Sequence, residues 1–194
     1  SDEQKQKYLP RIAAGELRLQ SMAVTEPSTG SDTTKLKTRA VKKGGTYIIN
    51  GQKVWTSRLQ HSDLMLVLAR TTPLEEVKKK SDGLSVFLVD VEQALKGGMR
   101  VQPIRNMVNH ETNTVFFDDL EVPAENLIGL EGKGFKTILE GHRGDIKVIA
   151  QALKAKVTNF VFHGSSMTQY CNDLQREFSL DFTMFSIYIY RISG

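Results

Sequence analysis

Between residues 17 and 123 the chain alternates polar and apolar residues in short runs, which is the pattern of half-buried β-strands. The first run begins at Leu17 and stops at Pro27. Further strands are predicted at 36–41, 47–49, 53–56, 64–69, 84–91, 99–103 and 112–117. Short strands at this spacing, with no helix predicted between them, favour a mainly β fold, either an antiparallel barrel or a sandwich.

Glycine-containing steps predict where this chain turns back on itself. Lys43-Gly44-Gly45 follows the strand at 36–41, and Gly97-Gly98 precedes the strand at 99–103. Asn50-Gly51 is the strongest two-residue hairpin signal in the sequence, because both central positions of that turn need a positive φ. We therefore predict hairpins at Lys43-Gly44-Gly45 and Asn50-Gly51, a turn at Gly97-Gly98, and 47–49 and 53–56 as two separate strands.

Helices are predicted on both sides of the β region. Residues 3–9 are charged and compatible with a helix that begins upstream, and Pro10 is predicted to interrupt it. After Pro123 a loop with several glycines leads to a helix predicted to begin near Phe135. The first residues include neither an initiator methionine nor a signal peptide, so we expect the sequence to begin inside a longer chain.

Composition narrows the function classes. Hydrophobic residues make up 40% of the chain and charged residues 25%, which is enough for a packed core. The net charge of +4 and the pI near 9.1 are compatible with a polyanionic partner. The basic residues occur in short groups at 35–43 and 78–80, mostly on alternate positions in the first group, as on the solvated face of a strand. Nucleic-acid binding is therefore the weakest hypothesis, whereas a phosphate-bearing cofactor fits the charge.

Disulfide, zinc and membrane-spanning roles are not indicated. Cys171 is the only cysteine, so no internal disulfide can form. The four histidines lack zinc-type spacing, and no apolar run is long enough to cross a bilayer. We predict no metal site.

The first candidate site is the hydroxyl-rich loop that begins at Thr25 and includes Ser31 and Asp32. Backbone amides and hydroxyls presented together suit an anionic phosphate. Taken alone, composition favours an ordinary turn in which Ser31 or Asp32 bonds its own backbone.

Trp55 is the second candidate. A lone tryptophan on a strand belongs to the core more often than to a cofactor site. Ser57 is predicted to point to the same side of the strand as Trp55, so an aromatic plane and a hydroxyl together could bind a planar ring such as isoalloxazine.

Two further motifs favour structural interpretations. His110 beside Glu111 suggests acid–base chemistry, but adjacent strand residues face opposite ways, so we favour a loop leading into the next strand. The glycine-rich segment at 129–135 matches neither a phosphate-binding loop nor a dinucleotide signature.

Four segments occur together in the order and spacing of the acyl-CoA dehydrogenase family: MAVTEPSTGSD at 22–32, YIINGQKVWTS at 47–57, LVD at 88–90 and VFFDDLEVPAENLIGLEGKGF at 115–135. The chain resembles this family from about residue 5 to residue 141. The resemblance implies the end of an N-terminal helical domain at 1–16 and a flavin- and acyl-CoA-binding middle β-domain at 17–123. It implies a linker and the first helix of a C-terminal helical domain at 124–160, followed by a divergent tail at 161–194.

The resemblance also implies a binding site for FAD. Val24 and Thr25 hold the edge of the flavin ring, Trp55 packs against the ring, and Ser57 bonds near its hydride-accepting nitrogen. Ser31 contacts an FAD phosphate and lies near the acyl-CoA substrate. The remaining residues of the predicted flavin-binding set are Met22 and Thr56.

The activity implied is α,β-dehydrogenation of a fatty acyl-CoA thioester, with electrons passing to an electron-transfer flavoprotein. The full-length protein is expected to be a homo-oligomer, a tetramer or a dimer, in the mitochondrial matrix if eukaryotic (alternatively the peroxisome) or in the cytoplasm if bacterial. The family's glutamate base lies in the C-terminal domain, and no residue of this chain aligns with it. The chain is therefore expected to be inactive alone, and a non-catalytic β-domain that acts as a binding module is the alternative.

Overall fold

A computed structural model of the chain describes residues 1–107 and 111–139. His110, the tail at 161–194 and the part of the 124–160 segment beyond residue 139 lie outside the described residues, so the predictions for them stay predictions.

The described residues form one twisted sheet, and the prediction of a mainly β fold is confirmed. The strands lie in the order β6-β7-β3-β2-β4-β5-β8, and β1 pairs with β4. Most neighbours are antiparallel, but β1 and β2 each pair with β4 in parallel. The strands are β1 (Leu19–Ala23), β2 (Arg39–Lys43), β3 (Thr46–Ser57), β4 (Leu64–Arg70), β5 (Leu84–Asp90), β6 (Met99–Pro103), β7 (Thr112–Pro123) and β8 (Leu127–Ile128).

The hairpin predicted at Asn50-Gly51 is wrong, because both residues lie inside the continuous strand β3. The Asn50 side chain donates to Asp119 Oδ1 (2.8 Å) and accepts from the Asp119 amide (2.9 Å). Asp119 has a φ of 46° and belongs to a β-bulge in β7, where the pairing with β3 shifts by one residue. Gly51 is required for a different reason, since a Cβ at this position would lie 2.5 Å from Thr38 Oγ1.

The helix predictions are correct in part. Helix α1 (Asp2–Ala13) continues through Pro10, where an interruption was predicted, and Gln4 on its first turn donates to the Glu125 and Leu127 carbonyls at 2.6 and 2.9 Å. These long-range bonds help to offset the one helical bond that proline cannot make. Helix α2 (Val91–Lys96) was not predicted, because six residues are too few to show helical periodicity. The chain is helical again from residue 134, as predicted near Phe135.

The apolar core occupies both faces of the β4–β5 pair. The larger cluster includes Tyr47, Val67 and Phe87, and the Tyr47 and Phe87 rings lie 4.9 Å apart. The smaller cluster contains Leu68 and Val86 and packs against side chains of the helix that begins at residue 134. Because these strands are covered on both sides, their sequences are continuous apolar runs rather than alternating ones.

Candidate functional site

A bulge in β3 carries Trp55 out of the sheet. Lys53 pairs with Val115 and Thr56 with Asn113, so two residues of β3, Val54 and Trp55, oppose one residue of β7. Trp55 has a φ of 60°, a conformation that is unfavourable for a bulky side chain, and 60% of its surface is exposed. Strained residues of this kind cluster at functional sites. The structure therefore places Trp55 at the surface and not in the core.

The neighbours of Trp55 alternate in burial. Thr56 is fully buried, and its Oγ1 has no hydrogen-bond partner among the described residues. Ser57 is half-buried. Burial directs the Thr56 side chain to the interior, and the prediction that Trp55 and Ser57 face the same side stays a prediction.

The segment Val24–Thr25 docks against this bulge. The Thr25 carbonyl accepts a hydrogen bond from the Val54 amide (2.9 Å), and the Val24 carbonyl accepts one from Lys53 Nζ (2.9 Å). Within the described residues, the amides of Val24 and Thr25 donate to no protein group, and the Thr25 hydroxyl has no partner. Three of the predicted site residues, Val24, Thr25 and Trp55, are thus brought to one place, with polar groups available to a ligand.

Met22 adds an apolar surface to this region. It lies on β1 two positions before Val24, and 40% of its surface is exposed although it is a large hydrophobic residue. Its exposure leaves an apolar side chain of the predicted flavin-binding set at the surface.

Beneath the docked segment lies a buried ion pair that the sequence did not reveal. Lys53 Nζ lies 3.0 Å from Glu26 Oε1, and both side chains are almost completely buried. Glu26 also accepts hydrogen bonds from the amides of Lys37 (2.7 Å) and Thr38 (2.8 Å). Lys53 lies in a predicted strand, but the sequence does not identify its partner, which is 27 positions away.

The pair is charged at neutral pH. Burial lowers the pKa of Lys53 to about 8, against the opposing attraction of Glu26. Burial by itself would raise the pKa of Glu26, but the Lys53 ammonium and the amides of Lys37 and Thr38 outweigh it and lower that pKa. The carboxylate therefore accepts three charge-assisted or amide hydrogen bonds in an apolar setting.

The hydroxyl-rich loop extends from this ion pair to the surface. Glu26 and Thr29 exchange two backbone hydrogen bonds (3.1 and 3.0 Å), which closes a tight turn. Ser31 is exposed beyond that turn. Asp32 accepts from the Thr34 amide (3.3 Å) and caps the 3-10 turn Thr33–Lys35, so the structural interpretation holds for Asp32 and leaves the Ser31 hydroxyl at the surface.

Arg70 is a second residue whose role the sequence did not show. Its nearly buried guanidinium donates to the carbonyls of Thr34 (2.6 Å) and Leu36 (3.3 Å), which fixes the end of the loop to β4. A lone arginine at the end of an apolar strand carried no signal for this contact.

The two other motifs are structural where they are described. Glu111 pairs with His61 (Nε2–Oε1, 3.0 Å) and Arg58 (Nη1–Oε2, 3.5 Å) at the surface. Glu131, in the glycine-rich segment, accepts from the Tyr47 hydroxyl (2.7 Å) and ties that segment to β3. Burial, together with the Glu131 carboxylate, raises the pKa of Tyr47 to about 12.

No group of three or more histidine, cysteine, aspartate or glutamate side chains among residues 1–107 and 111–139 is arranged to hold a metal ion. In the described part of the chain, no helix is both long and apolar enough to cross a bilayer.

The described residues thus form a β-domain with an exposed aromatic residue on a strained bulge, close to the backbone amides of Val24 and Thr25. The sequence profile of the acyl-CoA dehydrogenase middle domain matches residues 21–120. The chain therefore belongs to the acyl-CoA dehydrogenase family.

Individual relatives agree with this assignment. The chain is 38% identical to acyl-CoA dehydrogenase FadE26 of Mycobacterium tuberculosis over 71% of this chain and 34% of that protein. It is 34% identical to the mitochondrial very long-chain specific acyl-CoA dehydrogenase of Rattus norvegicus, over 86% of this chain and 26% of that protein. The structure is similar to a chain of the ChsE4-ChsE5 complex of Mycobacterium tuberculosis (TM-score 0.66, 38% identity, 74% of this chain and 35% of that chain). The chain thus spans about a third of the length of the curated relatives it matches.

Proposed function

We propose that this chain forms the flavin- and acyl-CoA-binding side of an FAD-dependent enzyme that dehydrogenates fatty acyl-CoA thioesters between their α and β carbons. The observation that carries the proposal is the juxtaposition of Trp55, exposed on its strained bulge, with the unpaired amides of Val24 and Thr25. Family membership supports the choice of flavin and acyl-CoA over other planar ligands.

The residues present fit the isoalloxazine group. The exposed Trp55 indole offers an apolar plane to one side of a planar ring, and Met22 extends this apolar surface. The amides of Val24 and Thr25 and the Thr25 hydroxyl supply hydrogen bonds to the polar edge of the ring. The half-buried Ser57 hydroxyl is the next polar group along β3.

Ser31 and Thr56 are assigned different roles. Ser31, exposed on the loop that Glu26 closes, is proposed to contact an FAD phosphate and to lie near the acyl-CoA. Thr56 is fully buried, so its contribution is to support the bulge from the interior, while any contact with the cofactor is made by its backbone.

When bound, FAD supplies the hydride acceptor for the dehydrogenation. The residues of this chain bind and orient the ring and cover one side of it, which keeps water from the reacting atoms. The base that removes the α-proton is proposed to lie in the C-terminal helical domain, at a position that no residue of this chain matches. We therefore expect the chain to bind FAD without catalysing turnover.

The partners follow from the same proposal. The electron acceptor is an electron-transfer flavoprotein, and the full-length protein is a homo-oligomer, either a tetramer or a dimer. The compartment is the mitochondrial matrix or peroxisome in a eukaryote and the cytoplasm in a bacterium.

A FAD titration of the purified chain, followed by flavin fluorescence and absorbance, tests the proposal. We expect saturable binding that shifts the flavin spectrum. Trp55→Ala is expected to weaken it by about fivefold, since an aromatic contact contributes about 1 kcal/mol. Leu95→Ala is the matched control, because Leu95 is also an exposed apolar residue but lies on α2. Absence of binding by a folded chain, or equal affinity in the Trp55→Ala variant, would contradict the proposed site.

A further inference from the structure

The Glu26–Lys53 ion pair supports the predicted flavin-contacting segment from below. Lys53 immediately precedes the Val54–Trp55 bulge, and its side chain points to the interior while Trp55 points to the surface. Its ammonium contacts the Val24 carbonyl and the Glu26 carboxylate at 2.9 and 3.0 Å. One cation therefore contacts both ends of the three-residue segment from Val24 to Glu26.

We propose that Lys53 and Glu26 are positioning residues of the flavin site, which hold Val24–Thr25 against the Val54–Trp55 bulge so that the two unpaired amides and the indole ring are presented together. The expected effect on FAD affinity rests on the proposed flavin-binding function. The contacts of Lys53 and Glu26 themselves exist without a ligand.

A charged pair suits this role better than a neutral one. The Val24 carbonyl belongs to a loop and not to a strand, so it needs a partner from a side chain, and hydrogen bonds from an ammonium are stronger than those from neutral donors. Burying two charges is expensive, so the pair is a weak source of stability, but it specifies one arrangement of the groups around it.

The same carboxylate also fixes the far end of the hydroxyl-rich loop. Glu26 accepts hydrogen bonds from the amides of Lys37 and Thr38, immediately before β2. The two ends of the loop that carries Ser31 therefore converge on one side chain. Loss of the pair is expected to release Val24–Thr25 first, because Val24 has no other hydrogen bond within the described residues.

The test uses the full 194-residue chain and a double variant, Glu26→Gln with Lys53→Met. These substitutions keep the approximate volumes and leave no unpaired charge in the core. The matched control is Glu92→Gln with Lys96→Met, which removes an exposed ion pair on α2. Glu26→Asp is a third variant, which keeps both charges but shortens the side chain by one methylene. If the double variant does not fold, Glu26→Asp tests whether the ion pair positions Val24–Thr25.

Two quantities are measured for each variant. The first is hydrogen exchange of the Val54 amide, which donates to the Thr25 carbonyl and so reports docking of the segment without any ligand. The second is the dissociation constant of FAD together with the absorbance spectrum of the bound flavin. Exchange at Phe87 in β5 serves as the internal reference for the core.

In the double variant we expect Val54 exchange to be faster and FAD binding weaker, each by about tenfold, with Phe87 unchanged. The bound flavin is expected to lose its spectral shift, and Glu26→Asp to show smaller changes in the same direction. Unchanged Val54 exchange in a folded double variant would overturn the inference whether or not FAD binds. If the unmodified chain binds no FAD but Val54 exchange rises, the proposed function fails while the positioning of the segment is supported.

Discussion

Strands β3 and β4 belong to the same sheet but differ in the regularity of their pairing and in the burial of their side chains. β4 pairs with β5 in unbroken register from Leu64 opposite Asp90 to Arg70 opposite Leu84, and almost every side chain of the two strands is buried. β3 pairs with β7 through two bulges and contains a buried lysine and an exposed tryptophan. Apolar side chains are thus continuous in the strand pair that forms the core, whereas β3, which carries residues of the proposed site, is irregular.

This difference shows how a sheet can be both stable and functional. Burial of apolar surface in β4 and β5 supplies much of the driving force for folding. β3 contains two unfavourable features, a tryptophan in the left-handed backbone conformation and a buried lysine cation. The stability of the rest of the sheet compensates for them. Irregularities of this kind occur at functional sites, where local rules of sequence and structure are expected to fail.

The largest expected effect is a loss of stability when a side chain of the core around β4 and β5 is removed. Phe87→Ala removes a fully buried ring that packs on Tyr47, and should lower the free energy of unfolding by about 4 kcal/mol. Chemical denaturation followed by circular dichroism measures this change. Phe116→Ala, at a half-buried ring on β7, is the control and should cost about 1 kcal/mol. Equal effects would mean that the core is not centred on β4 and β5.

Acid should lower the free energy of unfolding through the buried Glu26–Lys53 pair next to the β3 bulge. The pKa of Glu26 is lowered in the folded state, so its contribution to stability is complete above the usual glutamate value of about 4.3 and is lost as the pH falls through the lower, folded value. Lys53, with a pKa of about 8, stays protonated over this acidic range. We expect the free energy of unfolding to fall more steeply below pH 4.3 in the unmodified chain than in the Glu26→Gln, Lys53→Met variant. Parallel pH profiles would contradict this assignment.

The bulge at Asp119 separates the two halves of β3. Asn50→Ala removes the two hydrogen bonds that Asn50 exchanges with Asp119, and should lower the free energy of unfolding by about 1–2 kcal/mol. Thermal unfolding measures the loss. FAD affinity should remain unchanged, because this bulge is distinct from the one at Trp55. A large loss of affinity would show that the two bulges act together.

The smallest expected effect has the opposite sign. Trp55→Gly relieves the left-handed conformation while removing a side chain that is mostly exposed, so it should stabilise the fold by about 1 kcal/mol even though it weakens FAD binding. Trp55→Ala loses the same ring but keeps a Cβ, and should be less stable than Trp55→Gly. Denaturation of both variants makes the comparison. Equal stabilities would show that Trp55 is not strained.

Much of the fold could be predicted from the sequence because the buried strands of the core are rich in apolar residues. The runs near β4, β5 and β6 were located to within one or two residues, since their apolar content directly reflects burial. The hairpin predicted at Asn50-Gly51 failed because a strong local signal was overridden by a partner in β7, about 70 positions away. Helix α2 was missed because it is too short for a periodic pattern.

The site could be predicted only where its residues match the family pattern. Val24, Thr25 and Trp55 were identified from the resemblance, whereas local rules favoured a turn and a core residue for these segments. Lys53, Glu26 and Arg70 were not identified, because their roles arise from contacts between distant parts of the chain. A lysine inside β3 was the one available signal, and charge alone could not distinguish burial from exposure.

We propose that the irregular part of β3 and the Val24–Thr25 segment docked on it form the flavin site. The most direct measurement is an NMR titration of the 15N-labelled chain with FAD, comparing backbone amides across the sheet. We predict that the amides of Val24 and Thr25 and the Trp55 indole shift progressively and saturably, while those of Leu68 and Phe87 in the core do not. Shifts confined to other residues, or none in the Val24–Trp55 region at saturating FAD, would contradict the account.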